Sequence, residues 1–431
     1  MPAALTYVIA ACNAQETIRA TLSSLLAQTR PDWAAVIVDD GSTDATARVA
    51  ASLHDGRIRI VSQSNTGLAG ARNRGLHEAD PSCPAMCFLD ADDGVHPDHA
   101  GAMVRALAER DLSACSYRFV GPRLEDLDWE IPVSPHDCRF ERLIEFNPLA
   151  VGAVGVRRPA LDCVSGPDGP FDRSLRVHED WDLWLRLTRA GAIWGEPDGR
   201  ILFDYRLRAD SLTSDLEMMW RVGLRVIRSA GTEPGLTEAA LRRWSLRHLA
   251  RSIARGDADL VRSALAQLGQ IGGEDLDTLA GALRWALCRE DLVSPTIAHE
   301  HARAWRGRVA MTLEGVPMLG ALLTRLHFAP ERWERVVAGA ARRLGSGETL
   351  VIYGLGRNGR RALAAARRAG LAPIVIDDHA QPAPDLASIS PERIDDSHVV
   401  LVTPDQRGPI LERLGRLGVR RVVLPEDLDA A

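Results

Sequence analysis

From residue 4 to 95, short apolar runs alternate with stretches whose apolar positions recur every three or four residues. Strands buried on both faces read as continuous apolar runs, and helices that cover a sheet carry one apolar stripe, so the pattern predicts a parallel sheet wrapped by helices. Leu5 to Ala11 is the first predicted strand, followed by a helix with Ile18, Leu22, Leu25 and Leu26 on one face. Strands at 34–38, 57–61 and 85–89 follow, with helices at 43–53 and 66–77 between them. Polar residues stand where strands stop: Asn13 after the first, Asp39 and Asp40 after the second, and Asp90, Asp92 and Asp93 after the fourth. In open α/β sheets the ligand crevice lies outside the carboxyl ends of the strands, so these acids are expected on one edge although far apart in sequence.

Beyond residue 95 the alternation weakens. Pro122, Pro132, Pro135 and Pro148 break a loop-rich stretch before an apolar run at 151–156. A helix is predicted to open at Glu179-Asp180, with Trp181, Trp184, Leu185 and Leu187 on one face. From about 215 to 343 the pattern is helical almost throughout and reads as a bundle or spacer. At 349 the strand and helix alternation returns, with strand candidates at 349–353, 373–376, 398–402 and 421–424. The 431 residues thus divide into an α/β domain over 1–215, a helical segment over 216–345 and a small α/β module over 346–431.

Composition narrows the chemistry. Apolar residues at 46% and charged residues at 26% are ordinary for a globular chain and exclude disorder and fibrous readings. All 52 basic residues behind the net charge of -6 are arginine, because the sequence contains no lysine. A Walker-A phosphate loop and a Schiff-base mechanism both need that amine, so both are closed to this chain. No basic tail points to nucleic acid. Seven cysteines, an odd number without finger-like spacing, read as reduced thiols, and Cys83 and Cys87 read as core packing rather than metal ligands. No signal-peptide pattern opens the chain and no long apolar run occurs, so a cytoplasmic protein is expected.

Three polar blocks carry the strongest signal: Asp39-Asp40-Gly41-Ser42-Thr43-Asp44, then Asn65-Thr66-Gly67-Leu68-Ala69-Gly70-Ala71-Arg72-Asn73-Arg74-Gly75, then Phe88-Leu89-Asp90-Ala91-Asp92-Asp93. In this order and spacing the set resembles the inverting GT-A glycosyltransferases of the large bacterial family two. The resemblance runs from residue 4 to about 215, and Asn147-Pro148, Arg157-Arg158, Phe171-Asp172, His178-Glu179-Asp180-Trp181-Asp182 and Tyr205-Arg206 continue it. It implies a GT-A (nucleotide-diphospho-sugar transferase) α/β domain, a nucleotide-diphosphate sugar donor, and a hydroxyl-bearing glycan or lipid-linked acceptor.

The residues agree with that implication. A nucleotide diphosphate is strongly anionic, so aspartates beside it require a divalent cation between them. Asp90-x-Asp92 offers hard oxygen ligands to Mg²⁺ or Mn²⁺, which would neutralise the departing diphosphate. Asp92 is the expected ligand, with Asp93 the alternative, and Asp90 is expected to face the ribose or a metal-bound water; a polar turn after a strand is the plainer account. By resemblance Asp40 accepts a hydrogen bond from the base while Asp39 braces the turn, and Ala11 and Asn13 adjoin the donor. Arg72 contacts phosphate or holds the acidic loop, against an equal expectation of a structural pair with Asp40 or Asp90. Acids in the first turn of a helix commonly serve as caps, but the resemblance makes Asp180 the general base, with Glu179 and His178 orienting it or the acceptor.

Two departures matter. The usual proline and tyrosine of the first-strand motif are Ala10 and Cys12, and the Gln-x-x-Arg-Trp motif of processive synthases is represented only by Arg243-Trp244 with Ala240 in place of glutamine. Addition of single sugars is therefore expected. In the last module, Gly354-Leu355-Gly356-Arg357-Asn358-Gly359 follows a predicted strand and Asp377 closes the next, so Gly354, Gly356, Gly359 and Asp377 are expected to hold a mononucleotide in a Rossmann-like module. His299-x-His301 lies at non-facing helical positions and is not expected to bind metal. The predicted helix at 302–313, with Trp305 and arginines, reads as a bundle helix, with peripheral contact at the inner face of the membrane as the other reading. The alternative function is a non-catalytic nucleotide-sugar-binding or regulatory protein.

Overall fold

The computed structural model describes residues 3–122, 126–208 and 211–293, then 337–338, 340–345, 348–353, 362–363, 366–367, 369–376, 390–402, 408–417, 419 and 421–424. Two compact units contain them. In the first, β1 (Leu5–Ala11), β2 (Trp33–Asp40), β3 (Ile58–Gln63) and β4 (Ala85–Asp90) lie parallel in the order β3-β2-β1-β4. Every residue of β1 is buried, as its unbroken apolar run requires for a central strand covered on both faces. The helices α1 (Ile18–Leu26), α2 (Thr46–Ala51) and α3 (Leu68–Glu78) connect these strands. A Cβ at Gly75 would run into the Val8 side chain, so only glycine lets α3 lie this close to β1.

The chain leaves β1 toward β2 on one side and returns through β4 on the other, which makes β1 the switch point of the parallel sheet. Register fixes what meets there. Ala11 pairs with Asp39 across one edge of β1, and Ala10 pairs with Asp90 across the other.

The stretch read as loop-rich supplies the other half of the sheet. After β5 (Gly94–Val95) and α4 (His99–Leu107) come β6 (Leu112–Val120), β7 (Asp126–Ile131), α5 (Phe140–Leu143), β8 (Val154–Arg157), α6 (Arg158–Val164), α7 (Glu179–Arg189) and β9 (Asp198–Arg206). β8 runs antiparallel to β4 and extends the sheet through β6, β9 and β5, with β7 pairing β6 from the side, so the nine-stranded sheet is mixed.

The helices α8 (Leu216–Ser229), α9 (Pro234–Arg255), α10 (Ala258–Leu268) and α11 (Gly273–Val293) follow the helical pattern expected after 215 as far as residue 293. The boundary expected at 215 is corrected, because the core is continuous across it. Val226, Ile227, Ala230 and Ala240 belong to the same apolar cluster as Trp181 and Trp184. A Cβ at Gly223 would collide with the Trp244 ring, which seats α8 directly against α9.

In the second unit β10 (Thr349–Tyr353), β11 (Ile374–Ile376), β12 (His398–Val402) and β13 (Val422–Val423) form a parallel sheet in the order β11-β10-β12-β13, with α12 (Gly408–Arg416) between the last two strands. The strand expectations of the sequence hold here within two residues. Gly354, Gly356, Gly359 and Asp377 lie outside the described residues, as do His299, His301 and the stretch 302–313.

Candidate functional site

The carboxyl ends of β1, β2 and β4 gather the expected acids. After β2 the chain turns at Gly41, whose φ of +75° favours glycine and whose Cβ would lie 2.8 Å from the Asn65 amide nitrogen. Asn13, itself at φ +50°, clamps this turn: its Oδ1 accepts from the Thr43 N–H at 2.9 Å, and its own N–H donates to Ser42 Oγ at 3.0 Å. Ala11 ends β1 in a buried position beside Asp39.

The two adjacent aspartates differ in their partners. Asp40 is 3% exposed, and both its oxygens are occupied. Oδ1 accepts from Gln63 Nε2 and the Thr66 N–H, each at 2.8 Å, and Oδ2 accepts from the Gly67 N–H at 2.9 Å. Its carboxylate therefore ties β2 to the start of α3. Asp39 accepts a single bond, from the Ser42 N–H to Oδ1 at 3.2 Å. The base contact was expected of Asp40, with Asp39 bracing the turn; neighbours in a strand point to opposite faces, and of these two buried carboxylates it is Asp39 that keeps an oxygen without a protein bond among the described residues.

On the other side of β1, Asp90 and Asp92 are each about one-third exposed. Asp92 lies 3.7 Å from Arg208 Nη1, and burial and the adjacent Asp90 push its pKa up to about 6. A cation between the two acids would relieve the repulsion that Asp90 exerts on the Asp92 carboxylate. Asp93 is turned inward, 2% exposed, with Oδ1 accepting from the Arg206 N–H at 2.8 Å. Burial followed by Asp92 raises its pKa strongly. No group of three or more His, Cys, Asp or Glu side chains among the described residues forms a metal cage. One or two carboxylates with open oxygens nevertheless suit a hard cation that keeps waters and takes phosphate as its remaining shell.

Arg72 joins these acids to α7. It is 1% exposed; Nη2 donates to Asp90 Oδ1 at 2.6 Å and Nη1 donates to Glu179 Oε1. Burial works against its charge, but the carboxylates of Asp90, Glu179 and Asp180 outweigh it and hold the pKa above the ordinary arginine value. Glu179 is 3% exposed and its Oε2 has no partner among the described residues. Burial pushes its pKa up to about 7 while Arg72 pulls it down.

Asp180 is half-buried in the first turn of α7, which His178 opens at φ +62°. Its Oδ1 accepts from the Trp181 N–H at 2.7 Å, the local bond expected of a helix-start acid, while Asn147 Nδ2 donates to Oδ2 at 3.0 Å. Burial raises its pKa above the aspartate value and Arg72 opposes this. His178 packs on Trp181 and Trp244, and its Nε2 lies 3.0 Å from the Met219 carbonyl oxygen; burial lowers its pKa to about 4. It docks α8 rather than facing the site.

Residues 6–161 match the family described as glycosyl transferase family 2. The chain is a glycosyltransferase, similar to that family over this segment. It is 29% identical over 300 residues to the succinoglycan biosynthesis protein ExoO of Rhizobium meliloti, covering 66% of this chain and 81% of that protein. It is 26% identical over 223 residues to the UDP-Glc:alpha-D-GlcNAc-diphosphoundecaprenol beta-1,3-glucosyltransferase WfgD of Escherichia coli, covering 51% of this chain and 84% of that protein. Among solved structures, S. aureus TarS in complex with UDP-GlcNAc aligns over 76% of this chain and 88% of that one, at 17% identity and a TM-score of 0.46.

The transferase domain therefore brings Asp39, Arg72, Asp90, Asp92, Glu179 and Asp180 to one edge of its sheet, and turns Asp40 and Asp93 into the scaffold. Asn147 and Thr66 stand in the sequence motifs without an assigned role, and Gln63 lies outside those motifs. The polar Asn147 directly before Pro148 is the signal that points to it.

Proposed function

We propose that the transferase domain moves one sugar at a time, with inversion, from a nucleotide-diphosphate donor to a hydroxyl on a glycan or lipid-linked acceptor. The observation that carries this reading is the buried Arg72, which bonds Asp90 on one side and Glu179 on the other and so holds the Asp90–Asp92 loop and the start of α7 on a single site. Asp180 takes the proton from the acceptor hydroxyl as it attacks the anomeric carbon. Asn147 holds one oxygen of its carboxylate, and the helix N-terminus steadies the anion. Glu179 acts through Arg72 as a positioning residue. Asp39, with one oxygen free of protein bonds among the described residues, takes the base contact expected of Asp40. Arg72 keeps Asp90 oriented toward the donor.

Asp92 would hold a divalent cation, with Asp93 bracing the loop behind it; the cation supplies neutralisation of the charge that builds on the departing diphosphate. The similarity to WfgD, a UDP-Glc:alpha-D-GlcNAc-diphosphoundecaprenol beta-1,3-glucosyltransferase, supports a nucleotide-sugar donor and a lipid-linked acceptor. Cys83, Cys87, Cys115 and Cys138, buried free thiols, support a reducing compartment, the cytoplasm, with the acceptor met at the inner face of the membrane. No helix among the described residues is long and apolar enough to cross a membrane.

For the second unit the reading is a mononucleotide site in a Rossmann-like module. It is supported by the parallel sheet in which β10 ends at Tyr353, directly before Gly354, and β11 ends at Ile376, directly before Asp377. The deciding experiment offers the purified protein a panel of nucleotide sugars with Mn²⁺ and assays nucleotide diphosphate release. Release from one donor, stimulated by an acceptor, is expected; a silent panel with every acceptor class would overturn the reading.

A further inference from the structure

Beside the start of α7 lies a cluster of arginines that the transfer reading does not use. Phe146 directly precedes Asn147, the residue that holds Asp180, and its ring carries two guanidinium groups: Arg247 Cζ is 3.8 Å from the ring centroid and Arg142 Cζ is 4.3 Å. A third, Arg243, stands one helical turn before Arg247 on α9. Two of the three are compensated. Arg142 donates to Glu145 at 3.3 Å and lies 3.7 Å from Asp137, and Arg243 donates to the other oxygen of Glu145.

Arg247 is not compensated. It makes no hydrogen bond or ion pair among the described residues, and its Nε is buried without a partner. Burial, then Arg142 and Arg243, pull its pKa down to about 10. An arginine does not release its proton in a protein, so the shift marks a cation held in an unfavourable place rather than a neutral group. Arg247 is half-buried, and the Phe146 ring face offsets only part of the cost of that burial. Five donors in a planar fork lie over the ring of Phe146, which directly precedes in sequence the residue that holds the proposed base, with three arginines set against the carboxylates of Glu145 and Asp137.

We propose that Arg247, with Arg142 and the Phe146 ring, forms an anion subsite that takes an oxyanion carried by the acceptor near its attacking hydroxyl. A guanidinium fork suits a phosphate or carboxylate equally, so the oxyanion belongs either to a phosphate-linked carrier or to an acidic sugar. Assigning it to the acceptor rests on Asp180 being the base; the anion binding itself does not.

The test titrates the full chain with inorganic pyrophosphate and, separately, with glucuronate, by calorimetry in the presence of a chelator and without donor. Wild type is expected to bind one of the two, the one that binds naming the source of the oxyanion. Arg247→Gln should lose that binding at least tenfold, whereas Arg221→Gln, which removes an exposed arginine of α8, should leave it unchanged. Arg247→Lys, which keeps the charge and loses the fork, should bind more weakly than wild type yet better than Arg247→Gln, and stands in for it should Arg247→Gln not fold. Binding of neither anion, or equal binding by wild type and Arg247→Gln, would overturn the subsite. Since no donor, cation or transfer enters the measurement, its failure would leave the role of Asp180 intact, and loss of that role would leave the subsite intact.

Discussion

The parallel half of the large sheet and its mixed half place their functional groups by different means. In the parallel half, Asp39 and Asp90 owe their positions to strand register on either side of β1, and a local turn clamped by Asn13 completes the edge. In the other half, position comes from long-range side-chain bonds: Asp93 reaches the Arg206 amide, and Asp180 is held by Asn147. Backbone register is shared among many bonds and tolerates the loss of any one. A site held by single side chains does not, so the half carrying Asp180 is the more vulnerable to point substitution.

Arg72→Met tests this contrast most severely, because Arg72 is where the halves meet. It leaves Glu179 and Asp90 without their common cation, and breaking a buried ion pair from one side costs about 3–5 kcal/mol. Chemical denaturation should show a loss of that order, and an unchanged midpoint would remove the joint from the account. On the parallel side, Asp92→Asn should lower turnover by about 10³-fold, the several kcal/mol that a bound cation supplies to a developing charge. A chelator should reproduce the loss in wild type. Near wild-type turnover in the variant would show that Asp92 is not the ligand.

Asp180→Asn probes the other side. Transfer should fall by about 10²-fold or more, the usual worth of a general base, while donor affinity by calorimetry stays put. Donor binding lost together with transfer would make Asp180 a structural residue. The smallest effect expected is on pH dependence. Asp180 must be ionised to act, and burial raises its pKa above 3.8, so activity is lost as pH falls through that raised value and the acid limb of kcat/KM lies above the ordinary aspartate position. Asn147 favours the ionised form, so Asn147→Ala should move the limb upward; a limb that stays in place would separate the two residues functionally.

The same contrast explains what could be read before the structure was known. The strands of the parallel half are apolar runs ending in acids, and each was legible from its own neighbourhood. β6 interleaves Ser113, Ser116 and Arg118 with apolar residues, and β9 opens on Asp198, Gly199 and Arg200. Their partners lie far along the chain, so neither strand announced itself. The site's acids were visible because they cluster in sequence, but which of two adjacent aspartates keeps an open oxygen depends on bonds to Gln63, Thr66 and Gly67, which sequence order does not reveal. The boundary at 215 misled for a related reason. A change from mixed to helical pattern marks a change of secondary structure, while Trp244 and Ile227 continue the core begun at Trp181.

The buried arginine also constrains descent. Asp90 closes β4, Arg72 lies in α3 and Glu179 opens α7, so three separate stretches of sequence hold one electrostatic balance between them. A substitution at any one leaves uncompensated charge at the others. Divergent copies of this chain are therefore expected to keep the three together or exchange them together, so that in an alignment the trio behaves as a single inherited character.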